Sequence, residues 1–291
     1  MITLPRMSVK PEICQLKLNY ADLLAQARAL NVEASDAAIL ICHRLGISRA
    51  TLIAFAERLV AAKAAEEICA DLVARARGVP VAYLCGAQEF YGLALAVSPA
   101  VLIPRGDTET LVDTALAAFD QTEIVHALDL GTGSGAIALA LKSQRPHWQI
   151  TGVDYSEAAL AIAVKNAETL KLDVKFLAGN WFAPVRETYQ LILANPPYIA
   201  HDDPHLKRGD LRFEPSAALA ADRQGFADLV HIIDNSTCFL RPGGWLMLEH
   251  GHLQGPTVNT HLAQAGYLNV CTIKDLGDND RVSVGRWSGR T

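Results

Sequence analysis

The chain has 291 residues, 51% of them apolar and 20% charged, with a formal net charge of −5. That length suits one large domain or two ordinary ones, and the composition excludes a disordered or fibrous chain. An acidic balance without an evident basic patch argues against a protein that grips phosphate backbones, and no apolar run approaches the roughly 20 residues of a membrane helix.

The six cysteines (Cys14, Cys42, Cys69, Cys85, Cys238, Cys271) are scattered without a CxxC pair, which points to free thiols in a reducing compartment and to no metal centre. The opening "MITLPRMSVKPEIC" lacks the apolar core of a signal peptide, so a cytoplasmic chain is expected. Residues 1–85 read as successive helices: "YADLLAQARAL", "SDAAILICHRLG", "SRATLIAFAERLV" and "AAEEICADLVARARG" carry apolar residues at helical spacing. Ser35 and Ser48 stand where N-caps would stand. His43 reads as a helix-surface residue. With nothing chemical in it, the block is either a substrate-docking module or a stabilising appendage.

The rhythm changes at 86–110, where "EFYGLALAVSPAVLIPR" alternates with aromatics as a linking β-hairpin would. The run from Arg105 to Glu109 reads as a cap for the next helix. Residues 111–291 then alternate strand and helix: "IVHALDLG", "WQITGVDY", "VKFLAG", "YQLILANPP" and "GGWLMLEHG" are strands separated by helices, one of them capped by Ser156. "LNVCTIKDL" and "DRVSVGRW" close the chain as an antiparallel hairpin. The predicted fold is α/β: a Rossmann-like, doubly wound sheet with ligands at the carboxyl ends of its strands, preceded by a small all-helical domain.

"DLGTGSGAIAL" is strand, glycine turn and helix. Gly131, Gly133 and Gly135 allow close approach of backbone to a ligand, and Asp154 closes the next strand where it can bind ribose hydroxyls. Taken alone this fits a nicotinamide dinucleotide nearly as well as S-adenosylmethionine. Asp129 tips the balance, because a carboxylate facing pyrophosphate is unfavourable while one facing a cationic amino group is not.

The acceptor end is "LILANPPYIA". Two prolines fix their own φ and press the residues before them into extended shapes. The resulting stiff corner can aim the Asn195 side-chain carbonyl and the Pro196 backbone carbonyl at one point. Two acceptors match the two hydrogens of an –NH2 group whose lone pair is delocalised, as in the amide with its rotational barrier of about 18–20 kcal/mol. Bonding both hydrogens favours positive charge on nitrogen and frees its lone pair for a sulfonium methyl. Tyr198 can stack on the planar group. Methyl transfer to nitrogen is the reading, with Asn195, Pro196 and Tyr198 as catalytic residues.

The chain resembles the bacterial release factor glutamine methyltransferases along nearly its whole length, through "EFYGLALAVSPAVLIPRGDTETLV", "DLGTGSGAIALAL", "NWF", "NPPYI", "RFEPSAAL", "LEHG" and "DNDRVSVGR". The resemblance implies methylation of the glutamine side-chain amide in the Gly-Gly-Gln loop of peptide chain release factors, with S-adenosylmethionine as donor and S-adenosylhomocysteine as product. It implies a class I methyltransferase domain over 111–291, joined by a hairpin to the N-terminal helices. It places the methionyl part on Gly131, Thr132, Gly133, Ser134 and Gly135, the ribose on Asp154, adenine near Trp181, and donor and acceptor together at Asn195. Pro196, Pro197 and Tyr198 would shape the glutamine pocket. Asn180 stands where an aspartate is expected and can still accept through its oxygen. Arg105, Glu109 and Glu214 match the family without an assigned role, and His250 and His252 read as non-ligands. The expectation is a monomer acting on a protein, without direct nucleic-acid or membrane binding. Two alternatives remain open: a DNA adenine-N6 or cytosine-N4 methyltransferase, and a non-catalytic binder on the same scaffold.

Overall fold

The structure, a computed structural model, describes residues 17–289. The N-terminal leader reading, Met7 and Cys14 lie outside the described residues. The chain divides into two compact units between Cys85 and Gly86.

The first unit contains α1 (Tyr20–Ala29), α2 (Ala34–Leu45), α3 (Arg49–Ala54), α4 (Ala62–Ala76) and α5 (Val81–Cys85) around a core that includes Leu23, Leu40, Ile41, Ile68 and Leu72. Asn19 and Asp22 form a capping box at α1, a signal the Ser-based reading passes over. Ser48 caps α3 by accepting from the Thr51 amide at 3.1 Å. Ser35 does not cap α2: the last extended residue is Glu33, so Ser35 is already helical. Two ion pairs, Arg44–Asp71 at 2.6 Å and Arg75–Asp36 at 2.7 Å, hold α4 to α2.

The second unit opens with β1 (Ala87–Phe90) and β2 (Leu93–Ala96), an antiparallel pair. Its two-residue turn, Tyr91 and Gly92, has φ of 51° and 76°, the mirror-image turn that matches strand twist. Glu109, first residue of α6 (Glu109–Ala117), accepts the Tyr91 amide at 2.8 Å, and the Tyr91 hydroxyl donates to Asp113 at 2.6 Å. Glu109 therefore anchors the hairpin. No side chain from Arg105 to Glu109 caps α6, because Glu109 and Arg105 are engaged elsewhere.

β3 (His126–Leu130), α7 (Ala136–Gln144), β4 (Gln149–Asp154), α8 (Glu157–Leu170), β5 (Lys175–Ala178) and β6 (Tyr189–Ala194) follow. Then come β7 (Ile199–Ala200), β8 (Ala220–Ala221), the single turn α9 (Asp222–Gly225), α10 (Ala227–Ser236), β9 (Leu240–Glu249), α11 (Gly255–Gln264), β10 (Tyr267–Lys274) and β11 (Asp280–Trp287). The seven-stranded sheet runs β10-β11-β9-β6-β3-β4-β5, parallel except for the terminal hairpin. Both faces are covered, which explains the unbroken apolar strands. On β6, Leu191 and Leu193 pack to one face with α7 and Trp148, while Ile192 and Ala194 pack to the other with α10 and α11. Among the described residues no helix is long and apolar enough to cross a membrane.

Strand register positions the chemistry. Leu130 pairs with Val153 on one side and Ala194 on the other, and Ala194 pairs with Leu248. The next residue on each strand is therefore Asp154, Gly131, Asn195 and Glu249, a row across the carboxyl edge. The switch point lies between β3 and β6, where ligands of open α/β sheets bind.

After the double proline, the short β7–β8 ladder and a 3.1 Å hydrogen bond from Gln254 Nε2 to the Tyr198 carbonyl hold the segment down. Gly225, at φ 86°, lies so close that a Cβ there would sit 2.1 Å from the Tyr198 oxygen. Gly225→Ala should displace Tyr198 and destabilise the unit by roughly 1–3 kcal/mol, read by urea unfolding. An unchanged midpoint would show that this close approach is not a constraint.

Candidate active site

A cleft of about 580 Å³ opens at the row. Gly131, Gly133, Asp154 and Trp181 line one part of it, Asn195 and Pro197 another, and Pro215–Ala218 form a further wall. Gly131 (φ 72°) and Gly133 (φ 57°) adopt left-handed backbone that disfavours side chains. The loop turns back on β4, with the Gly131 and Thr132 amides donating to the Val153 carbonyl at 2.8 and 2.9 Å. A Cβ on Gly131 would lie 3.3 Å from the Trp181 ring, so the bare glycine is what lets the indole pack close against the turn.

Asp154 Oδ2 accepts the Gly133 amide and Oδ1 the Ser156 amide, each at 2.9 Å. Both oxygens retain lone pairs for hydroxyl donors. Ser156 caps α8 as expected. Asp228 also lines the cleft; burial raises its pKa, partly offset by a hydrogen bond from Trp181. Asn180 lines the cleft beside Trp181.

Other predicted site residues lie behind this surface. Asp129 is fully buried and does not line the cleft. The physical reason is its position within β3 ahead of the turn: Thr132 folds under and donates to Oδ2 at 2.6 Å, while Oδ1 has no partner in hydrogen-bonding geometry among the described residues. Burial pushes its pKa up to about 7, opposed by Thr132 and the Ala138 amide. Thr132 and Ser134 are buried, and Gly135 starts α7 at φ 84°. Pro196 is buried, and neither it nor Tyr198 lines the cleft. Instead, the Tyr198 hydroxyl donates to Glu249 Oε1 at 3.3 Å.

Two groups around Asn195, Thr108 and Glu249, escaped the motif reading, and Glu214, matched there without a role, gains one. Thr108, buried, accepts from Asn195 Nδ2 at 3.2 Å. Glu249, buried at the end of β9, has its pKa pushed up to about 7 by burial, with Thr108, Arg281 and Tyr198 opposing. Glu214 accepts the Ile103 amide at 3.0 Å and pairs with Arg105, tying the cleft's far wall to the segment leading to Thr108. A charged residue ending an apolar strand was the available signal for Glu249. His250 bonds the Gly251 carbonyl and Ser283 at 2.9 Å each, and burial lowers its pKa, so it is a neutral structural residue.

Residues 108–212 match the family described as Methyltransferase small domain, and 18–86 match the PrmC N-terminal domain. A release factor glutamine methyltransferase of Aliivibrio fischeri is 43% identical over 94% of this chain and 99% of its own. One from Xylella fastidiosa is 47% identical over 91% of this chain and 98% of its own. The chain belongs to the release factor glutamine methyltransferase family. A solved methyltransferase from Pyrococcus furiosus shares its fold at TM-score 0.52, with 19% identity over 68% of this chain and 90% of its own. Release factor glutamine methyltransferases are S-adenosylmethionine-dependent enzymes, and the cleft lined by Gly131, Gly133, Asp154 and Trp181 fits that donor.

Gly131→Ala tests the fit. The left-handed residue would carry a penalty of about 1–2 kcal/mol and relax away from Trp181, so the Kd for S-adenosylmethionine should rise about tenfold by calorimetry. An unchanged Kd would contradict the cradle.

Proposed function

We propose that the chain transfers a methyl group from S-adenosylmethionine to the side-chain amide nitrogen of the glutamine in the Gly-Gly-Gln loop of peptide chain release factors. The observation that carries this reading is the Asn195 amide. Its NH2 is held by Thr108, which leaves Oδ1 as an acceptor beside the glycine cradle.

In this reading Gly131–Gly135 hold the methionyl part by close backbone approach, Asp154 takes the ribose hydroxyls, and Trp181 with Asn180 receives adenine. When bound, the donor supplies an electrophilic methyl on a sulfonium sulfur. Asn195 Oδ1 and the Pro196 carbonyl accept the two hydrogens of the glutamine amide, favouring charge on nitrogen as its lone pair turns to the methyl. Pro197 forms the pocket wall, and Tyr198 buttresses the corner from behind through Glu249. Holding the two reactants in one cleft removes the entropy of their encounter. The methylated nitrogen is acidic and releases its proton without a dedicated base.

The helical unit is read as the dock for the body of the factor, its exposed Ile53 and Phe55 supplying apolar contact. The reading has a monomer working in the cytoplasm on protein, without gripping nucleic acid. Relatives named for release factors favour it over a DNA amino-methyltransferase or a non-catalytic binder.

Incubation with donor and a release factor should add one methyl, mapped by mass spectrometry to the Gly-Gly-Gln glutamine; label entering DNA alone would contradict the reading. Asn195→Ala should lower kcat on the order of 10²–10³-fold while largely sparing donor affinity; turnover at the wild-type rate would remove Asn195 from the chemistry. Ile53→Ser with Phe55→Ser should raise KM for the whole factor roughly fivefold or more, but not for a short Gly-Gly-Gln peptide. Equal effects on both substrates would count against docking.

A further inference from the structure

We infer that Thr108 and Glu249 are positioning residues that fix which end of the Asn195 amide faces the acceptor. The inference rests on the reading of Asn195 as the partner of the glutamine –NH2. It deepens that reading, because an Asn side chain has nearly the same shape with its oxygen and nitrogen exchanged. Only its hydrogen-bond partners can choose between the two orientations. In one orientation an acceptor meets the substrate's hydrogens; in the other, donor meets donor and the site is blocked.

The choice is made by a short relay. Asn195 Nδ2 donates to Thr108 Oγ1 at 3.2 Å. A threonine hydroxyl has a single proton and two lone pairs, so it can act as the acceptor here only if its own proton points elsewhere. Glu249 supplies that direction. Register sets it beside Asn195 at the carboxyl edge, where its buried Oε2 has no hydrogen-bond partner among the described residues and is open to a hydroxyl donor; the Thr108 hydroxyl nearby favours its ionised form. An ionised carboxylate only accepts. With the Thr108 proton turned to that open oxygen, its lone pair serves the Asn195 NH2 and Asn195 Oδ1 is left for the substrate.

A buried carboxylate oxygen calls for a donor, and the Thr108 hydroxyl is the donor this relay assigns to Oε2. The charged and titratable groups facing it are Arg281 on β11, Asp107 in the turn before α6, and Tyr198 after β6. Arg281 and the Tyr198 hydroxyl favour the carboxylate, Asp107 disfavours it, and burial leaves Glu249 titrating at about 7. Protonated Glu249 would donate to Thr108, the Thr108 proton would turn to Asn195 Oδ1, and the amide would present its NH2 outward. Activity through this relay is thus high above that pH and falls below it.

The test uses the full chain with a release factor as substrate, comparing wild type with Thr108→Val, Thr108→Ser and Glu249→Gln. Thr108→Val keeps the shape and removes the hydroxyl. Its kcat should fall on the order of 10²-fold, the scale of losing one oriented partner, with the Kd for S-adenosylmethionine and the melting temperature nearly unchanged. Thr108→Ser restores the hydroxyl and should recover most of kcat. Wild-type kcat should climb as pH rises through about 7, and Glu249→Gln, which cannot ionise, should lose that rise. Wild-type kcat in Thr108→Val, a serine variant no better than the valine one, or an unaltered pH profile in Glu249→Gln would each overturn the relay. Absence of glutamine methylation by the wild type itself would strike the underlying reading instead, and this one with it.

Discussion

The pairing register of β4, β3, β6 and β9 is the constraint on which everything else in the catalytic unit depends. In a strand buried on both faces, slipping by one residue would send every side chain to the opposite layer. The distinct packing of Leu191 and Leu193 against one layer and Ile192 and Ala194 against the other makes such a slip costly. Because that register is enforced by the core, the residues just past the last paired positions fall into one row without further instruction. Asp154, Gly131, Asn195 and Glu249 come from segments far apart in sequence, yet core packing alone brings them side by side.

From that row the two halves of the site take opposite forms. On the donor side the chain gives up side chains, so that the glycine loop and the indole of Trp181 pack closely while both line the cleft. On the acceptor side it gives up freedom, with two prolines, a two-residue ladder and Gln254 pinning one corner. Glu214 extends these ties outward by binding the Ile103 amide and Arg105, linking the wall at Pro215–Ala218 to the approach to Thr108. A site that must orient a resonance-stabilised nitrogen gains more from fixed acceptors than from a mobile base.

Much of this was legible from residues alone. Alternating strand and helix patterns, the glycine turn, the Pro-Pro corner and the closing hairpin all carry local signals that packing reinforces, and Ser48 and Ser156 cap helices as their positions suggest. What escaped depended on partners distant in sequence. The burial of Asp129 and its hydrogen bond from Thr132 are set by the turn's folding and carry no spacing signal. The Tyr198 hydroxyl finds its partner in Glu249, 51 residues on. Glu109 looked like a helix cap and proves to hold a hairpin turn 18 residues earlier. Thr108 sits 87 residues before the amide it orients, and no spacing rule links them. Ser35 failed for a local reason, since the helix begins one residue before it.

The central claim is that register sets one acceptor oxygen where a glutamine amide and a sulfonium donor meet. A crystal structure of the chain with S-adenosylhomocysteine and a Gly-Gly-Gln peptide tests it most directly. The account predicts Asn195 Oδ1 within about 3 Å of the glutamine nitrogen, with the sulfur of the product on the far side of that nitrogen over Gly131. A peptide seated away from Asn195, or an Asn195 amide turned with its nitrogen toward the substrate, would contradict it.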